Sequence, residues 1–276
     1  MSIYYSSDAL NKAFAMYFIE ALLDFLEIDY RTVEAYPTEI IKDNQRRFMD
    51  YAVIIDNSYI INLEFHEGDL GEEELNRFMK YKGDTRLKSQ MPVYTYIICT
   101  GNPKKSVKEY IINEKFEYSP KIIFLSLDDA DEKIELLKEK IKNDKRLTKR
   151  EKAFLVYIPF MESKLTKYEL VKTTATFTMQ LKTISQKEKT KLRHCQYFLI
   201  DIFVDKTKKG ELQEIIKMNG SYASQCIENI QNEGVIKGKI DVIKNLAGEM
   251  TVKKIAEVTE LDEKQVQQII DENGFE

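Results

Sequence analysis

The chain has 276 residues, 43% of them hydrophobic, which is enough for one large domain or two modest ones with a real core. Its net charge of −4 excludes the globally basic character of a chain that coats nucleic acid, so any such contact must use a local patch. Three widely separated cysteines, Cys99, Cys195 and Cys226, argue against a disulfide framework and for a reducing compartment, and no cysteine–histidine cluster suggests structural zinc. The N-terminal MSIYYSSDALNKAF lacks the regions of a signal peptide, and no apolar run reaches the ~20 residues a membrane span needs, so a cytoplasmic protein without membrane contact is expected.

Residues 8–27 place Phe14, Tyr17, Phe18, Ala21, Leu22 and Phe25 at three- and four-residue steps, which predicts an amphipathic helix opened by Ser7 or Asp8. After a mixed stretch, two β-rich runs, Phe48–Ile55 and Tyr59–Phe65, flank Asp56-Asn57-Ser58, predicting a hairpin with a three-residue loop. Residues 72–88 read as a helix, 92–99 as a strand ending in TGNP, 104–115 as a helix, and 121–127 as a strand. The following DDADEKIELLKEKI places acids at a helix start. A helix between strands permits parallel crossovers, so the expected fold of residues 1–145 is α/β, a mixed sheet of about four strands flanked by helices. Residues 146–230 read as a helical region, with helices over 148–164, 165–182, 186–205 and much of 207–240. The tail, 231–276, ends in two short helices capped by Thr251 and Asp262 and joined at 259–261, like a helix-turn-helix element. Its second helix carries one lysine and several acids, which suits packing or self-association better than reading a DNA groove.

The hairpin also carries chemistry. If Ile55 faces Tyr59, Asp50 falls opposite Glu64, on one face and roughly 4.5–5.5 Å apart at Cβ. Asn62, Glu64 and His66 share that face; Ile61, Leu63 and Phe65 take the other, which is expected to be core. Facing carboxylates repel, and a divalent cation between them removes the penalty. The backbone carbonyl of Phe65 can add a ligand. A metal held this way activates water and stabilises charge on a phosphate. Acids at a strand end are otherwise simply solvated, and a one-residue slip would separate the two.

Asp50, thirteen residues, then Glu64-Phe65-His66 on a hairpin after a helix resembles the PD-(D/E)-x-K nuclease superfamily, and within it the recombination-promoting nuclease, or transposase-like, branch. Residues 77–98, RFMKYKGDTRLKSQMPVYTYII, resemble that branch's Arg- and Tyr-bearing helix and Pro-Val strand. Residues 233–258 and the following ELDEKQVQQII resemble its C-terminal tail. The likeness spans roughly residues 8–130 and 230–272. It implies a restriction-endonuclease-like sheet core, Mg²⁺ or Mn²⁺ held by Asp50 and Glu64, DNA as partner and endonucleolytic hydrolysis. Two positions depart from the pattern. Met49 stands where the proline is expected, and His66 where lysine or glutamine is usual. An imidazole there acts as general base or metal ligand, or marks a nuclease-derived protein that binds DNA without cutting.

Further candidates are Arg77 and Tyr81, four apart on one helical face, with Lys80 beside them, for contact with phosphate. Glu20, one turn from Asp24, is a candidate extra metal ligand. The acids Glu67, Asp69 and Glu72–Glu74 read as helix-dipole complement, His194 as a helix-surface histidine, and the lysine excess in 182–209 as a solvated face that could contact a phosphate backbone.

Overall fold

The computed structural model describes residues 7–42, 45–113, 116–218, 242–244, 246–248, 250–259 and 261–274. Residues 1–219 form one compact unit and 220–276 a second. The sequence boundary expected near residue 145 falls inside the first unit.

In chain order the first unit runs α1 (Ser7–Phe25), β1 (Val33–Ala35), β2 (Glu39–Lys42), β3 (Gln45–Phe48), β4 (Tyr51–Ile55), β5 (Tyr59–His66), α2 (Glu72–Ser89), β6 (Val93–Cys99), β7 (Tyr110–Asn113), β8 (Phe116–Tyr118) and β9 (Lys121–Phe124). Helices α3 (Ala130–Lys142), α4 (Lys149–Tyr157), α5 (Lys167–Gln180), α6 (Gln186–Phe203) and α7 (Lys206–Ile216) follow. The central sheet has five strands in the order β1-β4-β5-β6-β9. Strands β1, β4 and β5 are antiparallel; β5, β6 and β9 are parallel. The expected mixed sheet flanked by helices is therefore present, with one strand more than anticipated.

Local chemistry explains the hairpin. Asp56 and Asn57 both have φ of 51°, a left-handed conformation that these two residue types tolerate best after glycine. The Ser58 N–H then bonds the Ile55 carbonyl at 2.9 Å and closes the turn. Ile55 pairs with Tyr59 and Tyr51 with Leu63, the register expected from the sequence.

Two segments differ from expectation. The run Phe48–Ile55 is not one strand: β3 ends at Phe48 in a separate two-stranded sheet with β2, and the chain re-enters the main sheet only at Tyr51. Of the segment expected as a helix over 104–115, the described residues 104–113 are not helical. They give a turn followed by β7, which pairs antiparallel with β8, as suits the β-branched Ile111-Ile112 pair. The β6–β9 crossover thus carries a small hairpin instead of a helix.

The sheet is covered on both faces. One face packs under α2, where Ala52, Ile60, Val93 and Ile97 meet Leu75, Phe78 and Tyr81. The other face carries Val53, Ile55, Ile61 and Leu63, all buried. Helix α1, broken at Phe18, joins the sheet unit to the helical region through rings: Phe14 meets Tyr157 edge-on at 5.4 Å, and Phe25 lies 5.0 Å from the same ring. This shared core is why residue 145 is not a boundary between units. Helices α4 and α5 start in capping boxes, Thr148 with Glu151 and Thr166 with Glu169.

In the second unit, α8 (Val252–Thr259) and α9 (Glu263–Asn273) share a small core of Ile243, Ile255, Ala256 and Val266. Asp262 caps α9, as its place in the sequence indicates. The expected helix beyond Ile216, across residues 219–241, lies outside the described residues. No helix among the described residues is long and apolar enough to cross a membrane.

Candidate active site

Strand β5 outruns β4 at its C-terminal end. Its even-numbered residues direct their backbone groups to β6 and the loops beside it: Ile60 N–H donates to the Pro92 carbonyl, and Thr100 N–H to that of His66. The odd-numbered residues therefore face β4, and at Phe65 the β4 backbone has already left the ladder. The Asp50 side chain takes its place, Oδ2 accepting the Phe65 N–H at 2.8 Å. This bond fixes Asp50 beside Glu64, where the hairpin register carried one residue back also puts it, and the Phe65 carbonyl points to the same side. The other carboxylate oxygen of Asp50, Oδ1, is 3.1 Å from Nζ of Lys12, which comes from the first half of α1.

Glu64 lies on the sheet face under α2. The sequence reading made only the opposite face core; here both are buried, because a central strand with a parallel neighbour is covered on each side. Glu64 is 2% exposed, and its Oε1 has no hydrogen-bond partner. Burial, and then the nearby charge of Asp50, hold its carboxyl well above the ordinary value of 4.5. Asn62, Arg77 and Lys12 oppose that shift without cancelling it. Asn62 is near enough to contribute but does not reach hydrogen-bond geometry, and neither of its amide atoms has a partner. Thr95, its register partner on β6, and Tyr118 on β8 add two more buried hydroxyls without partners. A buried polar atom left unpaired costs about 1–3 kcal/mol, so this row is a marked departure from ordinary core construction.

His66 ends the strand, half-buried. Its Nε2 lies 3.1 Å from the Asp69 carbonyl oxygen, which can only accept, so Nε2 carries the proton and Nδ1 holds the lone pair of the neutral ring. The loop that holds it is clamped to the turn after β6. Gly68 N–H donates to Thr100 Oγ1 at 3.2 Å, Asn102 N–H to Asp69 Oδ1 at 2.8 Å, and a Cβ on Gly101 would sit 1.9 Å from the Gly68 oxygen. Only glycine at 101 permits that approach. Glu67 points away to α1, accepting from Ser7 Oγ.

Helix α2 closes one side. Arg77, Lys80 and Tyr81 share a face, as their spacing indicates. Tyr81 is buried, and burial raises its phenol pKa; Arg77 opposes the shift, while Glu64 and Asp50 reinforce it. Tyr81 therefore lies within the electrostatic reach of both carboxylates. Glu72, Glu73 and Glu74 fill the first turn of α2 and complement its dipole, as read from the sequence.

Glu20 does not join the pair. It follows the break in α1 and binds Lys149 at 2.8 Å, while Asp24 accepts from Tyr30 at 3.1 Å. Among the described residues no group of three or more His, Cys, Asp or Glu side chains converges as a metal cage. The donor set is therefore two carboxylates and a carbonyl. That set is too sparse for an all-protein site but matches Mg²⁺, which keeps several waters and takes only one or two carboxylates. The orphaned, charge-suppressed Glu64 oxygen is the observation that fits a cation; the Lys12 contact to Asp50 is the one that competes with it.

Two contributors escaped the sequence reading. Lys12 gave no local signal, since only the packing of α1 against the end of β5 brings it to Asp50. The Thr95–Tyr118 extension depends on β8, whose pairing partner β7 falls in the segment read as helix. His194, taken for a surface residue, is buried on α6 and lies 3.1 Å from Tyr17 Oη, with burial pulling its pKa down to about 4. Comparison with protein-family models, with curated proteins and with solved structures gives no match.

Proposed function

We propose that the chain is a metal-dependent DNA endonuclease of the recombination-promoting, transposase-like type, built on a restriction-endonuclease-like core. One observation carries the reading: a buried glutamate, with an unpartnered oxygen and a suppressed charge, stands beside a second carboxylate at the end of a central strand. Ordinary cores do not retain such a group, and perturbed carboxylates cluster where chemistry is done. Asp50 and Glu64, with the Phe65 carbonyl, would hold Mg²⁺ or Mn²⁺, which supplies an acidified water and Lewis-acid polarisation of the phosphate.

The chain's own residues have separate tasks. The Phe65 N–H and Lys12 fix the Asp50 carboxylate. Lys12 and Arg77 set positive charge beside Glu64 and favour its ionised form. His66, with Nδ1 unprotonated, accepts the proton of the attacking water as the new P–O bond forms. The bond to the 3′ or 5′ oxygen breaks, and that oxygen takes a proton from solvent. Arg77 and Lys80 attract the polyanion.

The test is nicking of supercoiled plasmid with Mg²⁺ or Mn²⁺. Wild type should nick, Asp50→Asn and Glu64→Gln should fall by at least ~10³-fold, and His66→Ala by ~10²–10⁴-fold, the range for a general base. An inert wild type, or variants that cut equally well, rejects the reading. A second reading, a nuclease-derived DNA-binding or regulatory protein, draws on the Lys12–Asp50 contact, which already neutralises one carboxylate without a cation. DNA binding with no cleavage under any divalent ion selects it.

A further inference from the structure

The proposed chemistry uses the carboxylates under α2. One edge of the same helix lines a pocket of ≈ 260 Å³, of which that reading uses only Arg77 and Lys80. Its lining comes from two elements: Glu73, Asn76, Arg77, Lys80 and Tyr81 of α2, and Arg47 of β3. The helical residues are spaced i, i+3, i+4, i+7 and i+8, one continuous face. Three cations and an amide thus surround one opening against a single exposed acid, Glu73.

The ion-pairing pattern separates this pocket from the larger one of ≈ 690 Å³ beside α1 and α4. In the larger pocket the lining acids neutralise the lining lysines: Lys149 binds Glu20 at 2.8 Å and Lys152 binds Glu188 at 2.5 Å. In the smaller pocket neither Arg77 nor Lys80 forms an ion pair with a described residue. Arg77 instead lies over the Phe78 ring, 4.9 Å from its centroid. Arg47 is oriented by Asp84, 3.3 Å away on the next turns of α2, which ties β3 to the helix at the mouth of the pocket. Tyr81 forms part of the pocket wall and also feels the charge of Glu64 and Asp50, so pocket and carboxylates are neighbours.

We infer that this pocket is an anion subsite for a backbone phosphate of a polynucleotide strand, gripped between β3 and α2 while an adjacent phosphodiester lies at Asp50 and Glu64. Arg47 and Arg77 supply planar donor forks suited to phosphate oxygens, Lys80 a point charge, and Asn76 a neutral donor. The subsite rests on the nuclease reading for its substrate, yet it needs no metal and no cleavage to bind.

The experiment is fluorescence anisotropy of the full chain with a fluorescein-labelled oligodeoxynucleotide in EDTA, across a salt series. The variant Arg47→Gln/Lys80→Gln should bind at least ~10-fold more weakly, with a log–log salt slope shallower by roughly 1 for each cation removed. The charge-conserving Arg47→Lys/Lys80→Arg should keep most of the wild-type slope. Lys138→Gln, an exposed lysine on α3, should leave both values unchanged. Unchanged affinity and slope in the double Gln variant overturns the subsite, even if the wild type nicks DNA. Loss of binding equal in the Gln and the charge-conserving variants also overturns it, because it reports damage to the fold. Weakened binding in a protein that never cuts supports the subsite while rejecting the nuclease reading.

Discussion

Two buried glutamates of the first unit can be set side by side. Glu151, 7% exposed at the start of α4, has every need met: Lys140 Nζ lies 2.6 Å from Oε1, and the Thr148 N–H donates to Oε2 at 2.7 Å. Burial raises its pKa, but Lys140 and the Thr148 cap outweigh it and the carboxyl ends below its ordinary value. Glu64, 2% exposed, has an oxygen with no partner and a carboxyl driven upward. The first is how a fold accommodates an acid that serves structure: a capping box and an ion pair. The second lacks both, although the same chain builds such partners elsewhere. The two histidines also differ in setting: His194 is buried against Tyr17, whereas His66 is held at a strand end by a clamped loop.

The comparison can be broken most forcefully by removing the charge. Glu151→Ala leaves the half-buried Lys140 without its partner and removes a cap, and should destabilise the protein by ~2–4 kcal/mol in urea unfolding. Glu64→Gln, without divalent ions, should stabilise it by about 1 kcal/mol or more at pH 7, since each unit of raised pKa is worth 1.36 kcal/mol. Destabilisation by Glu64→Gln as large as that by Glu151→Ala would erase the distinction.

pH sharpens it. The folded pKa of Glu64 is raised, so its contribution is fully favourable below the ordinary 4.5 and is lost as pH rises toward the folded value. The stability gap between Glu64→Gln and wild type should therefore open as pH rises above about 4.5. Glu151 has the opposite sign: its contribution is present above 4.5 and disappears as pH falls through the lowered folded value. His194 adds a second acid-side loss. Its folded pKa of about 4 lies below the ordinary 6.5, so stability falls between those pH values, and His194→Phe should flatten that interval. The smallest effect is expected at the rim. Lys149→Met cuts an exposed pair with Glu20, its side chain 47% and that of Glu20 56% exposed, and should change stability by no more than ~0.5 kcal/mol.

Much of the site was legible because hairpin chemistry is local. Asp56 and Asn57 specify a left-handed turn, the turn fixes the register, and the ladder ends at Tyr51–Leu63, one residue short of Asp50, whose side chain then takes the Phe65 N–H beside Glu64. The α2 face was legible for a similar reason, since Arg77 and Tyr81 are one turn apart. Burial of Glu64 was not legible, because its cover is α2, and alternation along β5 shows which residues share a face without showing what lies over it. Lys12 and Arg47 come from elements distant in sequence, and their placement is a product of packing. Residues 104–115 misled because their mixture of lysines and isoleucines suits a helix as well as an edge hairpin; the pairing of Tyr110 with Tyr118 decided it. The break between Phe48 and Tyr51 was hidden because an apolar Met49 sits in it.

The most direct test of the account is calorimetric titration of Mn²⁺ into the wild-type protein and Glu64→Gln in buffers of different ionisation enthalpy. The account predicts binding by wild type with release of a proton, since Glu64 must ionise to take a cation, an affinity that rises with pH, and at least ~10-fold weaker binding by Glu64→Gln. Equal binding by both proteins, or binding by wild type with no proton released below the folded pKa of Glu64, would contradict it.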